Sequence, residues 1–211
     1  GEVSLAHRGF LFLDEFGEFD REAIESLREP LEEGEVTISR LSGRCSFPAR
    51  FTLIAALNPC PCGYLGDARR PCTCRPAEID RYRRRLSGPI LDRIDLFIRV
   101  DRPDLTEARL GRERAAVLGP DRAGAIARAR GVQAARLGEG RLNGEIPFDL
   151  VHRYCDVDRD GERILRDAAA KWSLSPRSIH RVMRVARTIA DLRGEVETRP
   201  EHVLEALSYR R

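Results

Sequence analysis

The sequence predicts an α/β core followed by an all-helical C-terminal part, and three observations predict it. Phe10-Leu11-Phe12-Leu13 runs apolar straight into the acidic pair Asp14-Glu15. Phe51 to Leu57 is a second apolar, strand-like run that closes on Asn58-Pro59. Beyond Pro103 the composition turns to Ala, Arg and Glu, and apolar residues recur at helical intervals. Short apolar runs of this kind read as parallel strands buried on both faces, and the C-terminal edge of such a sheet is where open α/β folds bind ligands.

The elements follow in chain order. The first strand is expected over residues 10–13. Asp20 is a fitting N-cap for a helix over 21–33, with Ile24, Leu27 and Leu31 on one face and Gly34 as the stop; Pro30 predicts a kink in its last turn. Residues 35–40 alternate polar and apolar with β-branched side chains, Ser42-Gly43 offers a turn, and Cys45 to Phe47 returns, which predicts a hairpin. The second core strand covers residues 51–57. A short helix end and a further strand, Leu96 to Val100, are expected before the composition changes near Arg102-Pro103. Helices with weak apolar faces are expected over 104–140, broken at Gly119-Pro120. Further helices are expected at 149–154, 161–171, 175–192 and 200–209. The division expected is residues 1–102 for the α/β part with a Cys-rich loop at 60–74, 103–140 for a helical connector, and 141–211 for a helical domain.

At 211 residues, 42% hydrophobic and 34% charged, the chain has the composition of a soluble globular protein. No apolar run is long enough to cross a bilayer, and the first residues carry no signal-peptide pattern, so a cytoplasmic protein without membrane partners is expected. The net charge of +3 provides no global basic field that would argue for nucleic acid. Lys171 is the only lysine, and no glycine-rich loop precedes it. A phosphate-gripping P-loop needs Gly-x-x-x-x-Gly-Lys-Ser/Thr, so this chain contains none.

Several residues carry candidate chemistry. An Asp at the tip of a buried strand in a nucleotide hydrolase holds Mg²⁺ and the following Glu polarises the attacking water, which assigns those roles to Asp14 and Glu15; the alternative is a core strand ending in a solvated acidic turn. Asn58, at the tip of the second strand, is placed to position that water or to sense a γ-phosphate. Arg93, in Leu91-Asp92-Arg93-Ile94-Asp95, is suited to neutralise charge on a phosphoryl group in a neighbouring subunit, or else to pair with Asp92 or Asp95. Arg177 sits in the first turn of a helix, where a cation opposes the dipole, so a phosphate is one reason for it to be there; Arg181, one turn on, is the fallback.

Together these pieces resemble the AAA+ ATPases, in the branch that holds magnesium-chelatase I subunits, MCM helicases and the ComM/YifB proteins. Residues 10–15 resemble the Walker B strand, 37–48 the pre-sensor-1 hairpin, Asn58 sensor 1, Arg93 the arginine finger and Arg177 sensor 2 on a helical lid. The strings at 1–9, 57–63 and 185–192 are similar to the ComM/YifB family in particular. The resemblance implies a partial AAA+ core with a lid, ATP and Mg²⁺ as cofactors, and a homo-hexamer. It also implies an N-terminal domain and a Walker A loop upstream, so these residues on their own are expected not to hydrolyse ATP. A DNA-acting motor is implied (branch migration or helicase activity in DNA uptake and recombination), threading single-stranded or branched DNA past a hairpin on which Arg40 and Arg44 meet phosphates. The alternatives are a chelatase-type ATPase that drives a protein partner, and a zinc-loop binding module with no ATPase activity.

Four of the six cysteines form Cys60-Pro61-Cys62 and Cys72-Thr73-Cys74. Four thiolates from one loop suit tetrahedral Zn²⁺, although one residue between paired ligands is closer than the usual two to four. A disulfide or free thiols are the other readings. Cys45 and Cys155 stand alone.

Overall fold

The computed structural model describes residues 1–40, 43–100 and 120–210. The chain divides into two compact units, Gly1–Ile94 and Asp95–Arg211. The boundary expected at Arg102-Pro103 lies outside the described residues.

In the first unit, α1 (Glu2–Leu5) leads into β1 (Phe10–Leu13), which pairs in parallel with β4 (Thr52–Ala55) in the register Leu13↔Ala55. The pairing continues past both strands, because Ala56 donates to the Leu13 carbonyl and Phe16 to the Ala56 carbonyl. Between the two strands the chain forms α2 (Arg21–Ser26), α3 (Arg28–Glu33) and an antiparallel hairpin of β2 (Glu35–Arg40) and β3 (Gly43–Pro48). Asp20 caps α2 by accepting from the Ala23 amide at 2.7 Å. The single helix expected over 21–33 is broken at Leu27, a turn earlier than Pro30 suggested. Proline cannot donate to the carbonyl four residues back and its ring crowds it, so the ladder is interrupted ahead of the ring rather than after it. Gly34 ends α3 in the left-handed region, φ 72°, where its amide reaches the Pro30 carbonyl.

Leu11 and Leu13 pack, with Ala55, onto a core of Phe16, Ile24, Leu27 and Ile90. Phe10 and Phe12 point the other way and are 71% and 60% exposed, with Ile54 beside them at 45%. The strands are therefore buried on one face, not on both as their unbroken apolar runs suggest. Among the described residues, α2, α3 and α5 (Gly88–Leu91) supply the cover for that single face. The strand expected at 96–100 does not form: these residues make no sheet ladder, and Phe97 instead donates its amide to the Tyr209 carbonyl at 2.7 Å. Ile98 and Val100 are 72% and 85% exposed.

The second unit is helical: α6 (Pro120–Leu137), α7 (Val151–Tyr154), α8 (Arg159–Trp172), α9 (Pro176–Arg193) and α10 (Pro200–Ser208). Ser175 caps α9 from Oγ to the Ser178 amide, with Pro176 in the first turn, and Gly194 closes it with φ 75°. Central α9 packs against α6 and α10, and α10 against α8. Val182, Met183, Ala186 and Ile189 of α9 meet Leu165, Val203 and Leu207 in the core. Polar groups lock α6 to α9. The Asp191 carboxylate, fully buried, accepts from Arg136 at 3.0 and 2.6 Å, from Arg187 Nε at 3.1 Å and from Asn143 Nδ2 at 2.8 Å. Arg187 spends its remaining donors on the Glu195 and Val196 carbonyls and Thr198 Oγ1. No helix among the described residues is long and apolar enough to cross a membrane.

Candidate functional site

The parallel register fixes the geometry of the acidic edge. With Leu13 opposite Ala55, the residues that follow each strand emerge side by side, Asp14-Glu15 from β1 and Leu57-Asn58 from β4. Asp14, Glu15 and Asn58 are all exposed at that edge. Glu15 adopts φ 49°, ψ 41°, one of three non-glycine residues with positive φ among those described, and its amide bonds Asp14 Oδ1 at 2.9 Å. A bulky residue held in the left-handed region costs about 1 kcal/mol or more, and such strain is concentrated where a side chain must be aimed. The chain then turns through the 3₁₀ segment Phe16–Glu18, with Phe16 and Gly17 buried.

Four cysteine sulfurs converge immediately after Asn58. Cys60 and Cys62 Sγ are 3.5 Å apart, Cys60 and Cys72 3.7 Å, and Cys62 and Cys72 3.6 Å; Cys74 Sγ accepts from the Cys62 amide at 3.3 Å. All four sulfurs lie within 4.8 Å of one another. The knuckle is built by the Gly63 amide donating to the Cys60 carbonyl. The intervening loop is held by Asp67, which accepts from the Arg69 and Arg70 amides, and by Arg70, which bonds Tyr64 Oη at 2.6 Å and lies over its ring. Amides of Tyr64 and Thr73 bring the Cys62 thiol down to about 5, while burial and the neighbouring sulfurs push Cys74 up to about 12. Sulfurs this close resist ionising together, and a divalent cation is what lets all four do so. None of the six cysteines is in a disulfide, so the disulfide reading is not realised in this structure.

A second cluster, Glu195, Glu201 and His202, is superficially similar. There His202 Nδ1 accepts from the Arg199 amide at 3.0 Å, which places the ring proton on Nε2, the atom facing Glu195 at 3.6 Å. A protonated ring nitrogen has no lone pair for a metal, so this is a helix cap backed by a carboxylate.

The expected arginines are distributed as follows. Arg93 pairs with neither Asp92 nor Asp95. Its guanidinium donates to Glu32 of α3 and, at 2.7 Å, to the Pro89 carbonyl, and its side chain is only 9% exposed. Asp95 instead takes Arg181 at 2.7 Å. Arg177 is exposed in the first turn of α9, in the other compact unit. On the hairpin, Arg44 is exposed opposite Ser39, and Arg40 stands opposite Gly43 in the register; the tip residues 41–42 lie outside the described residues. Sequence reasoning missed Glu32, Tyr82 and Arg85. Their signal is long-range contact, which no periodicity carries.

Two family models match successive parts of the chain. Residues 1–108 match the model for magnesium chelatase, subunit ChlI, and residues 121–210 the model for the C-terminal part of the same subunit. The chain belongs to the magnesium chelatase ChlI family. Within it, the chain is 42% identical to the competence protein ComM of Haemophilus influenzae and 40% identical to the YifB protein of Salmonella typhimurium, in each case over the whole of this chain. It spans about 40% of the length of these relatives. A more distant similarity, 25% identity over 98% of the chain and 25% of the other protein, links it to the maternal DNA replication licensing factor mcm6 of Xenopus tropicalis. The mixed α/β unit with a small parallel sheet, followed by a helical unit, is the partial AAA+ core and lid that this ChlI-family membership calls for.

Proposed function

We propose that this chain is part of an ATP-driven hexameric motor that acts on DNA. The observation that carries the reading is the parallel register, which sets Asp14, Glu15 and Asn58 at one sheet edge. In the intact protein Asp14 holds Mg²⁺, Glu15 activates water, and Asn58 positions that water or senses the γ-phosphate. Arg93 acts on the neighbouring subunit's ATP, and Arg177 answers nucleotide state from the lid. The Glu32 contact then fixes where the Arg93 guanidinium sits until it is needed. DNA enters as the substrate because the hairpin carries exposed Arg44 beside Arg40, and because relatives include a competence protein and a DNA replication licensing factor. The four cysteines suit Zn²⁺: the donor set is all sulfur, closely spaced and held by backbone amides. Four thiolates leave no open position, so zinc would order the loop rather than react.

The test is ATP hydrolysis by the intact protein, with and without single-stranded and four-way-junction DNA. Stimulation by DNA supports the motor. The second reading is a chelatase-type ATPase driving a protein partner, which the family model's own description favours; basal hydrolysis indifferent to DNA would shift the reading there.

A further inference from the structure

Asn58 and the loop after Glu15 are both gripped by one side chain, Tyr82 of α4 (Pro76–Arg83). Tyr82 is 4% exposed, and its hydroxyl is hydrogen-bonded to the Asn58 backbone amide. Its ring lies flush against Gly17, two residues beyond Glu15: a Cβ there would collide with the hydroxyl and the ring, so only glycine admits this approach. One turn on, Arg85 donates to the Gly17 carbonyl at 2.9 Å and to Glu18 at 2.8 Å. The same helix starts directly from the cysteine knot, with Arg75 at its N-cap one residue after Cys74 and its amide taken by Glu78 at 2.7 Å. On the other side of Asn58, a Cβ on Gly63 in the knuckle would lie 3.8 Å from Asn58 Oδ1. Asn58 thus sits between the knuckle and Tyr82, and Glu15 is followed by a loop that Tyr82 and Arg85 pin down.

We propose that Tyr82 is a positioning residue for ATP hydrolysis, the strut through which the cysteine knot sets the relative placement of Glu15 and Asn58. This rests on the ATP-hydrolysis reading above. Tyr82 touches neither nucleotide nor water. It acts by holding the Asn58 backbone and the Gly17 turn at a fixed separation, so that the water-activating carboxylate and the carboxamide meet the same γ-phosphate. The hydroxyl stays protonated, because burial and Glu18 raise it above its ordinary value. It is therefore a neutral hydrogen-bonding group throughout the working pH range.

The experiment uses the intact protein with three substitutions: Tyr82→Phe, which keeps the ring and removes the bond to Asn58; Gly17→Ala, which forces the ring away from the loop; and Glu15→Gln as the blank. Misplacing catalytic groups by an ångström costs up to about a hundredfold in rate, so Tyr82→Phe should lower kcat about tenfold or more. The KM for ATP and the affinity for a fluorescent ATP analogue should remain within about twofold, the signature of an interaction made in the transition state alone. Gly17→Ala should reproduce that split. A merely structural tyrosine would lose nucleotide binding and turnover together, or neither. Wild-type kcat in Tyr82→Phe, or parallel losses of binding and turnover in both variants, overturns the strut. A wild-type protein no more active than Glu15→Gln overturns the ATP-hydrolysis reading itself, and the strut with it.

Discussion

Asp191→Ala should unfold the helical unit early, and the size of the effect can be worked from its partners. The carboxylate is fully buried and is the shared acceptor for Arg136, Arg187 and Asn143. Deleting it leaves the Arg187 side chain, itself 5% exposed, with only the Glu195 and Val196 carbonyls and Thr198 Oγ1. Removing one partner of a buried ion pair costs about 3–5 kcal/mol, because the other charge stays buried. The retained carbonyl bonds put this site at the low end, about 3 kcal/mol. Trp172 is the only tryptophan and packs against the core of this unit, so its fluorescence follows the helical unit alone. With a urea slope of about 2 kcal/mol/M, the midpoint should fall by about 1.5 M. Arg136→Ala should cost less, since that side chain is 23% exposed and Asp191 would keep Arg187 and Asn143. A midpoint shift below about 0.3 M for Asp191→Ala, well under 1 kcal/mol on the same slope, would refute the buried network as the lock between α6 and α9.

Two further outcomes are expected. With zinc bound, brief alkylation at pH 8 should label Cys45, which is exposed, and leave Cys155 untouched, since burial pushes its thiol up to about 11 and keeps it protonated. Chelation should add Cys62, whose thiol is brought down to about 5, to the labelled set by mass spectrometry; equal labelling of Cys62 before and after chelation would remove the metal. On the intact protein, Arg40→Ala with Arg44→Ala should flatten the salt dependence of DNA binding by about 1.8 in log–log slope if each meets one phosphate. An unchanged slope would take the hairpin off the DNA path.

Local chemistry made much of this molecule readable from its sequence. Asp20 caps the helix it was expected to start, Gly34 is the expected stop, and the two apolar runs pair in parallel with their polar tips together. Each of these signals is contained within a few residues. The failures depend on distant partners. The apolar run of β1 carries no mark of which face is covered, because that is decided by where α2, α3 and α5 lie. Residues 96–100 have strand-like composition but no neighbouring strand among the described residues, and backbone pairing cannot be made alone. The candidate site divides the same way. Asp14, Glu15, Asn58 and the four cysteines announce themselves by residue type and spacing. Glu32 behind Arg93 and Tyr82 behind Asn58 do not, since a glutamate on an exposed helix and a tyrosine in an arginine-rich helix look ordinary until the fold brings them across.

The most direct test of the acidic edge is Glu15→Gln in the intact protein, measured for both ATP binding and turnover. The substitution keeps shape and removes the base, so binding should persist while hydrolysis falls by about 10²–10⁴-fold, the usual contribution of a positioned base. Turnover close to wild type would show that Glu15 does not activate the water and that the β1 tip is no more than a solvated acidic turn.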